Sequence, residues 1–585
     1  MHATLPDKVK TRLVLAAVGL VQGFVYYLAH EFWPDTNTPR ALVAAALFFT
    51  TGLALTNLLA WTGKDIKRLL LVGSVAPLVF ALAAIWVWLQ IPTGDVPYRD
   101  DSVRLPTSIF SAILSLSILL PGIQVFQATG GRSFPYAELF RRYWDNIFVL
   151  MTAGFVMGAF WIVILLWSEL FKLIDVTVFD DVFTHAAFVC MGLSGVFSYG
   201  VALGREWEKI TATIRSILFT VLKALMPLLA VIALLFLVSL PFTGLQPLWD
   251  TRHASATLLS LIALTILFFN GAFLDGTEAP PYSRWIRHLV EASLVAIPVY
   301  AVITFYALYL RIGQYGLTFG RFYGVLFALG GMSCGLGYAV SVFRRRGQWM
   351  ETARLVNIGM GLVVVVCAVL VHTPVLDPLR WSARSQFNRL AGGEVDAAEF
   401  DYGYLRFQLG HIGFETLAAL EGLTDHPQAN VIRDRVQATR DADSYADVRP
   451  QPASLVSASD ILPLDASTAL PDSLVSFVVT RLTQYQADEC EANGDCTMFA
   501  ANLDSDSDPE YVLVLSGDES YQILAYDRDE NGNWRQVGRL RPYENDARLP
   551  LRAELLDTLR LMRPTSEVPQ YRDLVIGGLK LRVMY

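Results

Sequence analysis

Charge is the scarcest commodity in this chain. Only 17% of its 585 residues are Asp, Glu, Lys or Arg, against about 25% in ordinary soluble domains, which excludes a wholly water-soluble protein. Ionisable and strongly polar residues within its apolar stretches are few: Glu169, His185, Lys223, Asn270, Glu291 and Arg354. No stretch repeats carboxylates as a proton relay does, and no inverted repeat of the transporter kind is visible. There is no Ser elbow, zinc signature or nucleotide loop. The GLG at 335–337 lacks both a preceding strand and a P-loop lysine. No catalytic residues are assigned on this basis, and no nucleic-acid partner is expected. Cysteine is also sparse. Cys190, Cys334 and Cys367 fall in apolar stretches and read as small core residues, which leaves Cys490 and Cys496.

What the chain has in abundance is apolar sequence, 54% of residues, gathered into runs. A spanning helix needs roughly 20 mostly apolar residues. Eleven stretches qualify: 11–30, 41–61, 69–91, 107–127, 147–171, 183–203, 217–240, 255–274, 286–310, 320–343 and 351–371. The first follows Lys8, Lys10 and Arg12, so a signal peptide is the alternative. It runs on as YYLAHEFWP with no small-residue cleavage site and is read as a span. The Pro121–Gly122 interruption is one a bilayer tolerates. Gly320 and Gly324, and Gly331 and Gly335, are four apart, a spacing that lets helices approach closely. The connections 133–146 and 205–216 interleave aromatic and charged residues, as short interfacial or connecting helices do.

Charge is also unevenly placed. Residues 371–585 hold 34 acids and 20 bases, whereas 1–370 hold 20 acids and 26 bases. If the N-terminus is cytoplasmic, the inside segments carry 17 basic residues and the outside loops 7. That bias predicts a bacterial cytoplasmic (inner) membrane protein with the N-terminus inside and the C-terminal region extracytoplasmic.

Beyond Pro374 the apolar runs cease. Segment 377–393 predicts a helix with Trp381, Phe387 and Leu390 on one side, and 396–410 and 414–423 predict two more. The stretch 440–472, with Pro450, Pro452, Pro463 and Pro471, reads as a linker or irregular loop. CTMFAANL, EYVLVLSG, YQILAYDRD and NWRQVGRLR read as strands of a small antiparallel sheet, the last two around a turn at Glu530, Asn531 and Gly532. A helix at 551–562 and a final strand in DLVIGGLKLRVM follow. The predicted fold is thus an α-helical polytopic membrane bundle of about 11 spans followed by a soluble α+β domain. Its parts are a membrane domain at 1–372, a helical exposed subdomain at 373–440, a linker at 441–472 and a sheet-plus-helix domain at 473–585.

Two features of the last part carry chemistry. Cys490 and Cys496 predict a disulfide closing a short loop, natural in an oxidising compartment. A redox motif prefers two intervening residues rather than five, and zinc needs two more ligands. The second feature is NLDSDSDPEYVLVL, where Asn502, Asp504, Asp506, Asp508 and Glu510 place oxygen side chains at alternate positions before an apolar strand. Calcium takes six to eight oxygen ligands from such loops. The pattern resembles the Asp-x-Asp-x-Asp loops of EF-hand, dockerin and integrin-type repeats. It departs from them in having Ser507 where Gly usually turns the chain, and it lacks the distal Glu of an EF-hand. The alternatives are a structural calcium ion and an ion-free acidic turn.

Three stretches, RIGQYGLTFGRFYG (311–324), RSQFNRLAGGEVDAAEFDYGYLRFQLGHIGFETLAAL (384–420) and the acidic loop, together resemble the bacterial family known as domain of unknown function 4153. That resemblance implies a multi-span core with an outward domain. It implies no catalytic residue, because the family has no established activity. Three functions stay open. The first is a membrane protein presenting its outer domain to an envelope protein or cell-wall partner. The second is a transporter or lipid flippase. The third is an enzyme on lipid-linked substrates, with Arg311, Tyr315, Arg321 and Tyr323 contacting an anionic headgroup. Membrane lipids are the surroundings common to all three.

Overall fold

The computed structural model describes residues 5–34, 36–62, 65–91, 101–131, 133–250, 253–277, 281–344, 349–442, 445–448, 461–464, 470–482, 496–503, 509–516, 521–528, 532–540, 574–576 and 579–581. The chain forms two compact units. One comprises Met1–Asp396 and Tyr402–Asp447, the other Ala397–Asp401 and Val448–Tyr585.

The first unit is all helical. Its first half holds α1 (Leu5–Glu31), α2 (Asn37–Ala60), α3 (Ile66–Gly73), α4 (Val75–Leu89), α5 (Asp101–Thr129), α6 (Tyr136–Lys172), α7 (Val178–Thr184) and α8 (Ala186–Glu206). The second half holds α9 (Glu208–Thr243), α10 (Gln246–Asp250), α11 (Ala254–Phe273), α12 (Arg284–Tyr315), α13 (Phe319–Arg344) and α14 (Ala353–Leu370). Among the described residues, eleven helices are long and apolar enough to cross a membrane, α3 and α4 counting as one around a turn at Ser74. They coincide with the eleven predicted stretches. Helix α5 runs through Pro121 and Gly122.

The connectors differ from expectation. Residues 136–146 are the opening turns of the 37-residue α6, and 208–216 open the 36-residue α9. Neither is a separate interfacial helix. Their charges are spent along and between the two long helices, in Arg141 with Glu138, Arg142 with Glu138, and Arg215 with Asp145.

Two apolar cores hold the unit. Leu15, Leu58, Leu69, Leu120, Val149 and Val201 join α1, α2, α3, α5, α6 and α8. Met226, Leu258, Phe269, Leu294, Tyr300 and Tyr338 join α9, α11, α12 and α13. Bilayer helices gain little from apolar burial against one another, so close backbone approach matters more. A Cβ on Gly200 would stand 2.8 Å from the Ala153 Cα, and one on Gly335 would stand 2.7 Å from Ile297 Cγ2. Gly331 meets Ile262 and Gly324 meets Leu308, but Gly320 faces open space. Three of the four paired glycines therefore mark tight packing. Asn270 bonds across helices as expected: its Nδ2 donates to Tyr338 Oη at 3.0 Å and its Oδ1 accepts from Asn357 Nδ2 at 2.6 Å.

Helices α15 (Pro378–Ala391), α16 (Tyr402–Gln408), α17 (Gly410–Glu421) and α18 (Ala429–Asp441) fall in the same compact unit as the spans. The buried side of α15 is Leu379, Ser382, Ala383, Gln386 and Leu390. Of the apolar side predicted from sequence, Leu390 is buried and Trp381 is 50% exposed. Helix α18 lies in a stretch with no predicted element, and buries Ile432, Val436 and Thr439.

After α19 (Tyr445–Val448) comes the sheet unit: β1 (Ile461–Pro463), α20 (Asp472–Arg481), β2 (Cys496–Ala501), β3 (Glu510–Ser516), β4 (Tyr521–Arg528) and β5 (Trp534–Leu540), with a two-stranded pair β6 (Leu574–Ile576) and β7 (Leu579–Leu581). Strands β2 to β5 form the predicted antiparallel meander, but β1 adds a parallel edge from within the supposed linker. Leu474, Val475 and Val478 of α20 pack on Met498, Leu513, Leu515 and Leu524. Strand-period alternation puts those sheet residues on one face. The predicted helix at 551–562 lies outside the described residues.

Candidate anion site where α12 meets α13

Helix α12 ends at Gly316, whose φ of 74° is left-handed and whose N–H donates to Ile312 O at 2.8 Å. Glycine is required twice over, since a Cβ there would stand 2.6 Å from Gln386 Nε2. The turn that follows is saturated by α15 and α16. Ser385 Oγ accepts from Leu317 N at 3.0 Å, and Ser382 Oγ donates to Leu317 O at 2.9 Å. Tyr404 Oη accepts from Phe319 N at 3.0 Å. Gln386 Nε2 donates to Tyr315 O at 3.0 Å, and Arg389 Nη2 to Gln314 O at 2.8 Å.

Around this latched turn, three of the four residues predicted to meet a headgroup come together. Tyr315 is 55% exposed. The guanidinium carbons of Arg321 and Arg311 lie 5.4 Å and 5.8 Å from its ring centroid, within reach of a cation–π attraction. Arg321 Nη1 donates to Gly316 O at 2.7 Å. Arg311 and Arg389 are charged neighbours of Arg321. Among the described residues, none of these three arginines has a carboxylate within ion-pair distance. Three like charges held by carbonyl oxygens and a tyrosine face keep free N–H donors for an anion. Tyr323, the fourth residue, turns away into an aromatic group with Phe319, Phe322 and Phe327.

Sequence reading missed the polar seam beneath. Arg104 Nη1 lies 3.2 Å from Asp377 Oδ2, with side chains 7% and 2% exposed. Asp377 also caps α15, accepting from Leu379 N at 3.0 Å, with Pro378 in the first helical turn. The Asp-Pro pair is a legible helix-start signature, but nothing local announces a partner 273 residues away. Arg104 Nε and Nη2 are buried without hydrogen-bond partners among the described residues. His372 Nε2 is 2.9 Å from Ser111 Oγ, and burial holds the imidazole down at about 4.

In the sheet unit, Glu510 opens β3 opposite Ala501. Its Oε2 accepts from Leu503 N at 2.5 Å, while its buried Oε1 has no partner among the described residues. Asn502 follows β2, and Asp504, Asp506 and Asp508 lie outside the described residues. Cys496 is fully buried at the start of β2, and Cys490 lies outside the described residues. Cys190, Cys334 and Cys367 are free thiols. No group of three or more His, Cys, Asp or Glu positioned for a metal occurs among the described residues.

Eleven helices long and apolar enough to cross a membrane, packed through close glycine contacts, make this by length and composition a multi-pass helical membrane protein. The chain belongs to the family described as domain of unknown function (DUF4153), whose model matches residues 14–421. The match takes in the Arg311–Gly324 and 384–420 motifs and stops short of the acidic loop, which is therefore no part of the family's matched region. No curated protein and no solved structure matches the chain.

Proposed function

We propose that this protein is a bacterial cytoplasmic-membrane protein that holds an anionic lipid headgroup at the Tyr315 end of its bundle and presents its sheet unit to an envelope partner. The observation that carries the reading is Arg311 and Arg321 over an exposed Tyr315, with Arg389 nearby and no carboxylate at ion-pair distance from any of the three among the described residues. A lipid phosphate supplies the missing charge. The latch from α15 holds the turn in its binding shape beforehand, which lowers the ordering cost. Native mass spectrometry of the full chain in nanodiscs tests it. Wild type should retain phosphatidylglycerol, and Arg311→Ala with Arg321→Ala should lose most of it. Equal retention would sink the proposal.

The N-terminus is assigned to the cytoplasm and the C-terminal unit to the outside by the 17-to-7 basic asymmetry. Alkaline phosphatase fused after Tyr585 should then be active, and an inactive fusion reverses the orientation. In that compartment Cys490 pairs with Cys496, and both should resist alkylation until reduced. A structural calcium ion bound by Asn502, Asp504, Asp506, Asp508 and Glu510 answers the unpartnered Oε1 of Glu510, since a buried carboxylate oxygen without a partner costs about 1–3 kcal/mol. The full chain's sheet unit should melt higher in calcium than in chelator. A melting temperature indifferent to calcium leaves only an acidic turn.

A further inference from the structure

At the opposite end of the first half-bundle lies a cavity of about 280 Å³. It opens between the C-terminal turns of α2 and α5, the start of α3, the first turns of α6 and the end of α8. Arg68, Arg142, Arg205, Gln124, Gln127 and Asp65 are among its walls, and Glu138 pairs with Arg142 beside them.

Each arginine is already anchored. Arg205 Nη1 donates to Leu58 O at 2.7 Å and its Nη2 to Trp61 O at 2.5 Å, closing the C-terminus of α2. Arg142 Nε donates to Glu138 Oε1 at 2.7 Å. The Arg68 guanidinium lies 4.3 Å from the Phe126 ring centroid. Among the described residues neither Arg68 nor Arg205 has a carboxylate partner, and Arg142 is a like-charged neighbour of Arg205. Gln124 is spent, donating to Leu59 O and Asn146 Oδ1, both at 3.0 Å. Gln127 is not: both its amide atoms are sealed from solvent and have no hydrogen-bond partner among the described residues. Like charges converging on a cavity beside an unsatisfied amide are costly when empty, and each fork retains donors shaped for a phosphate.

We propose that this cavity binds a phosphate-bearing anion, with Arg68, Arg142 and Arg205 supplying the charge and Gln127 an orienting amide. The site stands at the ends of apolar spans. The same chemistry is therefore offered to a lipid headgroup from the adjoining leaflet or to a free phosphate compound.

The test uses the full chain in phosphatidylcholine nanodiscs. One arm adds inorganic phosphate, and the other blends phosphatidylglycerol into the discs. Melting temperature is read in both, and bound species by native mass spectrometry. A rise with phosphate alone assigns a free compound, and a rise only with phosphatidylglycerol assigns a headgroup. Both arms are read in an Arg311→Ala, Arg321→Ala background, which removes headgroup retention at the Tyr315 end, and either supports the site if adding Arg68→Gln to that background weakens the remaining binding about tenfold, the worth of one charge-assisted contact. Gln127→Leu should also weaken it, and serves alone if Arg68→Gln does not fold. No response in either arm overturns the proposal. So does binding in that background that both Arg68→Gln and Gln127→Leu leave intact.

Discussion

The Tyr315 end and the Arg205 end of the bundle both gather arginines, and they use them differently. At the Tyr315 end, Arg104 is buried against Asp377, and α15 is laid over the turn by Ser382, Ser385, Gln386 and Arg389. The polar groups there hold backbone to backbone, and only the Arg311–Tyr315–Arg321 face is left for a ligand. At the other end the arginines anchor singly and leave a cavity between helices. Burial converts an arginine from a ligand hand into a structural pin, because a charge removed from water must be answered within the protein.

The largest test of that contrast is Asp377→Ala. It strands Arg104 as a buried cation and removes the α15 cap, and should cost about 3–5 kcal/mol in detergent unfolding. A loss under about 1 kcal/mol would mean that the Tyr315 end is not pinned.

Next comes pH. Folded His372 titrates at about 4 and the unfolded side chain near 6.5, so the unfolded state takes up the proton first. The stability linked to His372 is whole above about 6.5 and lost as pH falls towards 4, on the order of 3 kcal/mol in all. His372→Gln should flatten that part of the stability curve, and an unchanged slope would assign the acid sensitivity elsewhere.

Arg205→Met should cost less, about 1–3 kcal/mol, since it frees the carbonyls of Leu58 and Trp61 without stranding an opposite charge. A penalty larger than that of Asp377→Ala would invert the comparison. Smallest is Arg311→Ala, which should move stability by no more than about 0.5 kcal/mol while weakening headgroup retention.

The eleven spans were legible because apolar run length alone decides them. The long helices were not, as aromatic and charged residues at 136–146 and 208–216 look interfacial until Trp144 is seen edge-on against Phe219. Helix α18 carries its period in Ile432 and Val436, too few apolar positions among charges to announce itself. Trp381, Phe387 and Leu390 were grouped on one side of α15 by their apolar character, whereas the side that packs includes Ser382 and Gln386, which hydrogen-bond to a distant turn. The Arg311–Tyr315–Arg321 group was readable from local spacing. The Arg104–Asp377 pin and the Arg205 cavity depend on contacts across more than a hundred residues, which no local pattern encodes.

Helix length has a mechanical consequence. At 1.5 Å per residue, the 37-residue α6 and the 36-residue α9 are each about 55 Å long, against roughly 30 Å of hydrocarbon. Their opening turns are riveted together by Phe140 and Trp144 on Phe219 and by Arg215 on Asp145. The surplus carries the charges of 138–145 and 208–215, and because the two opening turns are joined, a tilt of one shaft is passed to the other as in a twin-shafted lever.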